Sequence, residues 1–444
     1  MAQGGELVEP FDICDLLFGI FSCSGTPREL AIFTGNPARA GLTWLMIDLM
    51  RKDLKRIRVF VTDGYWRKTL AAVRALGRRG VQVTVGESTY LAPALFSRYC
   101  HCRVRTPSPV LQPSQYLDFL ETYLKRHPHH VLMPMEEDTL LLLARNRERF
   151  QNITSLPCAD HHHLLFARDK LKVLRRAEAL DIPIPRTFEI DNMAEAKPLS
   201  KQLEYPVVVK PRVGSGSAGV EYVEEPAQLP AALARVFRSG QSPLVQERLP
   251  AEGAGIGASF LLDQNHQVRA SFIHRRLREY PVQGGPSTLR QSIIHEQARR
   301  DGARLLESLR LVGVGMVEFK IDSRNGTAKL LEVNPRFWGS LALAINTGVN
   351  FPYLLTLMAL GLDFPAVHSY RLGHLCRWLL PGDILHFLQN PNRWRLKPSF
   401  FQFRQANMSY DIIDMDDPLP ILGTFLGLLP FYSSKDFVHV RMRR

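Results

Sequence analysis

Two stretches of this 444-residue chain hold residue types suited to phosphate and to a hard cation. The first is Lys210-Pro211-Arg212-Val213-Gly214-Ser215-Gly216-Ser217-Ala218-Gly219. Glycines and small hydroxyl side chains let backbone N–H groups approach phosphate oxygens and form an anion-binding concavity. Gly214, Gly216 and Gly219 match GxGxxG, but a dinucleotide-binding loop must open a helix. Here Val220-Glu221-Tyr222-Val223-Glu224 alternates like a strand and then meets Pro226. No GxxxxGK[ST] run occurs either, so this is not a Walker loop. The loop is expected to join two strands. A hairpin tip without a ligand is the plainer alternative, and Lys210, ending an apolar strand within reach of a phosphate, tips the balance.

The second stretch is Gly315-Met316-Val317-Glu318-Phe319-Lys320-Ile321-Asp322, a turn through Ser323-Arg324-Asn325-Gly326, then Lys329-Leu330-Leu331-Glu332-Val333-Asn334-Pro335-Arg336. Alternating strands around Asn-Gly predict a hairpin. Side chains two apart share a face, so Glu332 and Asn334 point one way, as do Glu318 and Lys320. Val317, Phe319, Leu331 and Val333 are expected on the apolar face. If Glu318 lies opposite Glu332, two carboxylates and a carboxamide oxygen share one pocket. Like charges that close raise one pKa unless a cation intervenes, and all-oxygen donors suit Mg²⁺. The alternative is a solvated polar face.

The elements that must position these residues follow from periodicity. Residues 57–62 read as a buried strand, followed by a helix to Gly80 and a strand over 81–85. A helix near 114–127 leads into a strand at 131–135. Strand–helix–strand spacing predicts a parallel sheet, so residues 54–165 read as a small doubly wound α/β domain without a glycine-rich fingerprint. A helix over 169–180 precedes a strand-rich α+β unit, with strands near 207–210, 219–224, 244–249, 258–262, 268–273, 315–322 and 329–333. The expected division is an N-terminal extension (1–53), the α/β domain (54–165), the α+β unit (166–363) and a separate C-terminal region (364–444).

Composition narrows the function classes. Hydrophobic residues make up 45% and charged residues 22%, a globular balance. The net charge of +13 is spread along the chain without a dense basic block, so no specific nucleic-acid partner is expected. Six cysteines suggest reduced thiols in a cytoplasmic protein rather than a disulfide framework. Cys100 and Cys102 lack zinc-site spacing. The acidic start of the chain argues against a signal peptide. Residues 419–432 are too short to span a bilayer and are expected to be buried. His127, His129, His130 and His161–His163 read as solvated loop, and Glu136-Glu137-Asp138 as the acidic start of a helix.

Taken in order, Lys170 after Arg168-Asp169, Lys210 before the glycine loop, Val245-Gln246-Glu247-Arg248-Leu249, Glu318 and the Glu332–Arg336 run resemble the ATP-grasp superfamily. The likeness is to carbamoyl-phosphate-synthase-like and amino-acid-ligase-like members and covers about residues 54–363. It implies a pre-ATP-grasp α/β domain followed by a two-lobed ATP-grasp domain. It also implies ATP and two Mg²⁺ ions as cofactors, with Mn²⁺ a possible substitute. Lys170 and Lys210 would hold the ATP phosphates, under a loop of Gly214, Ser215, Gly216, Ser217 and Gly219. Gln246, Glu247 and Leu249 would meet adenine and Glu252 the ribose. Glu318, Glu332 and Asn334 would ligate the metal, and Arg336 would stabilise the transferring phosphoryl group. The run Asn334-Pro335-Arg336-Phe337-Trp338 departs from biotin carboxylases, whose all-glycine loop and NTRxQVEH-like run are absent.

On the substrate side, Arg275, Arg276 and Arg278 suit carboxylate or acyl-phosphate oxygens. Arg275 and Arg276 are adjacent, so on a strand only one of them faces the site. The implied activity is a carboxylate–amine ligase working through an acyl phosphate on small-molecule acid and amine substrates; a homodimer is an allowed assembly. A non-catalytic nucleotide-binding regulator on the same fold is the rival, and intact Glu318, Glu332, Asn334 and Arg336 speak against it.

Overall fold

The computed structural model describes residues 55–214 and 219–427. The N-terminal extension, loop residues 215–218 with the expected phosphate-covering Ser215, Gly216 and Ser217, and the chain after 427 lie outside the described residues. Three sheets organise the rest.

The first sheet contains β1 (Arg58–Val61), β2 (Gln82–Glu87), β3 (Cys100–Arg105) and β4 (Val131–Met133), all parallel in the order β3-β2-β1-β4. Strands buried on both faces read as unbroken apolar runs, and β1 does so. Val59 and Val61 pack with Leu70 and Leu76 of the helix Arg67–Gly77, while Phe60 packs with Leu120 of the helix Pro113–Arg126. Sequence pattern did not reveal β3. It is an edge strand reading Cys-His-Cys-Arg-Val-Arg, and charged residues are common on edges.

The second sheet is β5 (Thr187–Glu189), β6 (Val207–Pro211), β7 (Glu221–Val223) and β8 (Pro243–Glu247), antiparallel in the order β5-β8-β6-β7. The glycine loop therefore joins two paired strands, β6 and β7.

The third sheet has seven strands. They are β9 (Gly255–Leu262), β10 (Val268–Glu279), β11 (Ser287–Ser292), β12 (Gly313–Asp322), β13 (Thr327–Asn334), β14 (Leu375–Arg377) and β15 (Met408–Tyr410), in the order β13-β12-β9-β10-β11-β14-β15. Residues after 364, expected as a region apart, thus extend this sheet through β14 and β15. Each is only three residues long, too short for an alternation signal.

The helix expected over 169–180 spans Lys170–Glu178, with the Asp169 carboxylate accepting from Lys172 N and capping it, and a separate helix, His161–Arg168, precedes it. His161–His163 consequently open a helix rather than a loop, and His129 is buried on Thr84 rather than solvated. Asp160, His162 and His163 place ligand atoms within 4.8 Å of one another, but at the surface. Residues 419–432, expected to be buried, begin with the helix Leu419–Leu426. It buries Pro420 and Gly423 and exposes Leu419, Leu422 and Phe425. Among the described residues no single helix is long and apolar enough to cross a membrane.

Candidate active site

The β12–β13 hairpin pairs Met316 with Asn334, Val317 with Val333 and Glu318 with Glu332. Glu318, Glu332 and Asn334 therefore share one face. A bulge follows, pairing Phe319 with Leu330, and this corrects one expectation: Leu330 rather than Leu331 is buried in the core. An extra residue on one strand shifts the alternation beyond it.

The carboxylates sit among cations and line a cavity of about 380 Å³. Asn334 Nδ2 donates to Glu318 Oε1 and to Glu332 Oε1, each at 3.2 Å. Lys170 Nζ lies 3.3 Å from Glu332 Oε2 and donates to the Gly214 carbonyl at 2.6 Å. Arg276 forms an ion pair with Glu318 and another with Glu279 at 3.3 Å. Arg336 Nη2 donates to Asn334 Oδ1 at 3.2 Å.

Two glycines make the Arg276–Glu318 pair geometrically accessible. Arg276 is on β10 and Glu318 on β12, with β9 between them. Gly257 of β9 pairs with both Glu318 and His274. A Cβ at Gly257 would lie 2.2 Å from His274 Cε1, and one at Gly255 would lie 3.1 Å from Arg276 Cδ. Bare backbone on β9 lets the β10 side chains arch across the sheet. The alternating Gly255-Ile256-Gly257 in a strand is a signal for such close approach, and the sequence reading did not use it.

The titration behaviour of the two carboxylates diverges. Burial raises Glu318, with the Glu332 charge adding to the rise and Arg276 opposing it. Burial also acts upward on Glu332, but Lys170 and then Lys210 outweigh it and hold the carboxyl below its ordinary value. Burial, reinforced by the charge of Lys170, pushes Lys210 down to about 8.

The remaining expected residues separate into two groups. Arg336 and Arg276 line the cavity with Glu318, Glu332 and Asn334. Arg275 does not: it is exposed and donates to Gln291 Oε1 on the other face of the sheet. Adjacent strand residues must point apart. Arg278 is buried against Asp383 at 2.7 Å, away from the carboxylates. On the second sheet, Gln246 is buried and donates to Thr187 Oγ1 at 2.7 Å. The Glu247 carboxylate accepts from Lys329 Nζ at 2.5 Å, Arg186 N at 3.1 Å and Arg324 Nη2 at 3.2 Å, so it bridges the two lobes. Leu249 is buried, and Glu252 is exposed on a turn.

Sequence reasoning missed the walls of the cavity. Trp66, Arg67 and Lys68 come from the start of the helix after β1, and Trp378, Leu380 and Pro381 from the segment after β14. No local pattern links positions so far apart in the chain.

The donor set fits a hard divalent cation. Glu318, Glu332 and Asn334 offer only oxygen ligands, and their negative charge is already matched by N–H groups at cation-like positions. Asn334 turns Nδ2 toward the carboxylates, so ligation through Oδ1 requires a half-turn of its amide.

Residues 169–367 match the family model described as carbamoyl-phosphate synthase L chain, ATP binding domain. The carbamoyl phosphate synthase large chain of Xylella fastidiosa is 26% identical over 239 residues, covering 51% of this chain and 22% of the relative. The chain thus spans less than a quarter of that relative's length. The D-aspartate ligase of Enterococcus faecium is 22% identical over 293 residues, covering 61% of this chain and 68% of the ligase. Among solved structures, the biotin carboxylase domain of 2-oxoglutarate carboxylase from Hydrogenobacter thermophilus superposes with a TM-score of 0.58 at 15% identity. The match covers 72% of this chain and 73% of that one. That structure holds MgADP and bicarbonate; at this identity the likeness is one of fold.

Proposed function

Residues 169–367 carry the ATP-grasp fold, and from that premise we propose that this chain is an ATP- and Mg²⁺-dependent carboxylate–amine ligase forming an amide or peptide bond through an acyl phosphate. The observation that carries the reading is Glu318 directly opposite Glu332 with Asn334 beside them, between Lys170 and Arg276. In the proposed organisation residues 54–165 precede the ATP-grasp unit of 166–363, and Trp378, Leu380, Pro381 and Ile412 of the C-terminal region line its substrate side.

The residues have distinct tasks. Glu318, Glu332 and Asn334 would hold Mg²⁺, which when bound screens phosphate charge. Lys170 and Lys210 supply cations on one side of this group for the phosphates. Arg276 and Arg336 do so on the cavity side, for the acid and the moving phosphoryl group. A carboxylate oxygen of the acid attacks the γ-phosphorus, and the bond to the β–γ bridging oxygen breaks, releasing ADP. The amine then attacks the acyl carbon and expels inorganic phosphate. Positioning and electrostatics supply the catalysis, so no side-chain nucleophile is required.

This order of attack is tested by isotope. With a turned-over substrate pair, ¹⁸O in the carboxylate is expected in inorganic phosphate at about one atom per turnover, because the oxygen that bonds phosphorus leaves with it. Label that stays entirely in the amide, while ADP accumulates, rules the acyl phosphate out.

A pH dependence follows from Lys210. Its ammonium, pushed down to about 8, is charged below that pH and neutral above it. Attraction for phosphate is present in the charged form and lost as pH rises. ATP affinity measured by equilibrium dialysis is therefore expected to fall as pH climbs through about 8. Lys210→Arg should hold its affinity across that window, because a guanidinium keeps its charge. Identical pH profiles for the two proteins would remove Lys210 from the phosphate site.

A further inference from the structure

We propose that the acid taken by this site carries an aromatic or bulky aliphatic side chain, received between Trp66 and Trp378; the inference rests on the ligase reading above and specifies its substrate class. The cavity lined by Glu318, Glu332 and Arg336 is also lined by residues of a different character. These are Tyr65, Trp66 and Pro93 from the first α/β unit, and Trp378, Leu380 and Ile412 from the C-terminal segment. An acid whose carboxylate reaches the phosphoryl end extends the rest of its body into this chamber.

The charged groups along that path are already committed within the protein. Arg67 Nε donates to the Gly339 carbonyl at 2.7 Å and lies 3.4 Å from Asp411, and its Nη2 donates to the Ser287 carbonyl at 3.4 Å. Its guanidinium carbon lies 3.8 Å from the centroid of the Trp378 ring, a cation–π contact that pins the indole. Lys68 pairs with Glu136 at 2.8 Å and donates to the Phe337 carbonyl at 3.1 Å. Binding an acidic substrate side chain here would have to break one of these arrangements, whereas an apolar group meets indole and aliphatic surface without disturbing them. Burying an unpaired charge is costly, and burying hydrocarbon is favourable. Trp66 packs edge-on against Tyr65 at 5.8 Å, which holds this second indole in place. A cavity of about 380 Å³ is large enough for one amino acid with a large side chain beside the phosphoryl end.

The test traps the acyl phosphate with hydroxylamine, which yields the acyl hydroxamate and inorganic phosphate. The full chain with Mg-ATP is given phenylalanine, tryptophan, leucine and 3-phenylpropionate, against aspartate and glycine. The apolar acids are expected to exceed aspartate and glycine in kcat/KM by tenfold or more, the scale on which an apolar pocket discriminates. Trp378→Ala and, separately, Trp66→Ala should raise the KM for the best apolar acid by about tenfold, with a smaller change in kcat. Trp378→Phe should restore most of the loss, which a merely structural role would not predict. Hydroxamate formed best from aspartate or glycine would overturn the substrate class and leave the ligase reading standing. So would KM values in both tryptophan variants that rise equally for every acid. Absence of both hydroxamate and ADP with every acid would overturn the ligase reading, and this inference with it.

Discussion

Glu332→Gln and Asn334→Ala are each expected to lower ATP-dependent turnover on the order of a thousandfold, the scale seen when one preorganised charge-stabilising group is removed. The two residues occupy one face of β13, with Glu332 opposite Glu318 and Asn334 within 3.2 Å of both carboxylates. The first substitution keeps the shape of the side chain and loses the charge that draws a divalent cation. The second deletes the amide that stands between the two carboxylates. Phosphoryl transfer leaves negative charge spread over oxygens, and without the cation nothing of equal strength offsets it. The measurement is ADP release by purified variants whose circular dichroism matches the parent. Mn²⁺ binding followed by electron paramagnetic resonance should weaken in parallel. Near-normal turnover in either variant would remove that residue from the metal site.

Asp417→Ala is expected to destabilise the fold by about 3–5 kcal/mol, as when one partner of a buried ion pair is deleted. Arg74 is almost fully buried in the helix after β1. Its Nε donates to Asp417 Oδ2 at 2.9 Å, and its other nitrogens donate to the carbonyls of Asp411, Ile412 and Asp417. Asp417 also accepts from Ser97 Oγ at 2.7 Å and Arg98 N at 2.8 Å. Removing the carboxylate leaves the buried guanidinium with only the more distant Asp414 carboxylate, 4.0 Å away, as counter-charge. The double variant Arg74→Met with Asp417→Leu should be less destabilised than Asp417→Ala, because no lone charge remains. Thermal unfolding midpoints of the three proteins decide this. A midpoint for Asp417→Ala equal to the parent would show that the pair does not hold the C-terminal segment in place.

The two predictions differ in how their residues could be found. Glu318, Glu332 and Asn334 were legible because strand alternation is local: residue type and spacing alone assign each side chain to a face. The same logic required one of Arg275 and Arg276 to face away but could not say which. That choice depends on how β10 registers with β9 and β11, a pairing between segments distant in sequence. The Leu330-for-Leu331 exchange has the same origin, since the bulge is a property of the paired strands and not of either alone. Arg67, Lys68 and Trp378 carry no local signature. A lone basic or aromatic residue reads as surface or core until the fold brings it to a cavity.

The amino-acid sequence by itself determined the order of the motifs, the strand-to-strand placement of the glycine loop and the shared face of Glu332 and Asn334. Each of these is set within a few residues by backbone period and turn chemistry. The pairing of the strands decided that Glu318 stands opposite Glu332. Tertiary structure alone decided what stands around them. The bare β9 backbone at Gly255 gives Arg276 room to reach Glu318, while Gly257 makes room for the His274 ring. Trp66 and Trp378, distant in the chain, line one cavity. Arg74 and Asp417, 343 positions apart, join the first α/β unit to the C-terminal segment. The physical reason is that alternation settles which side a residue faces, while its neighbour across a gap depends on chain closure and packing between elements that share no local pattern.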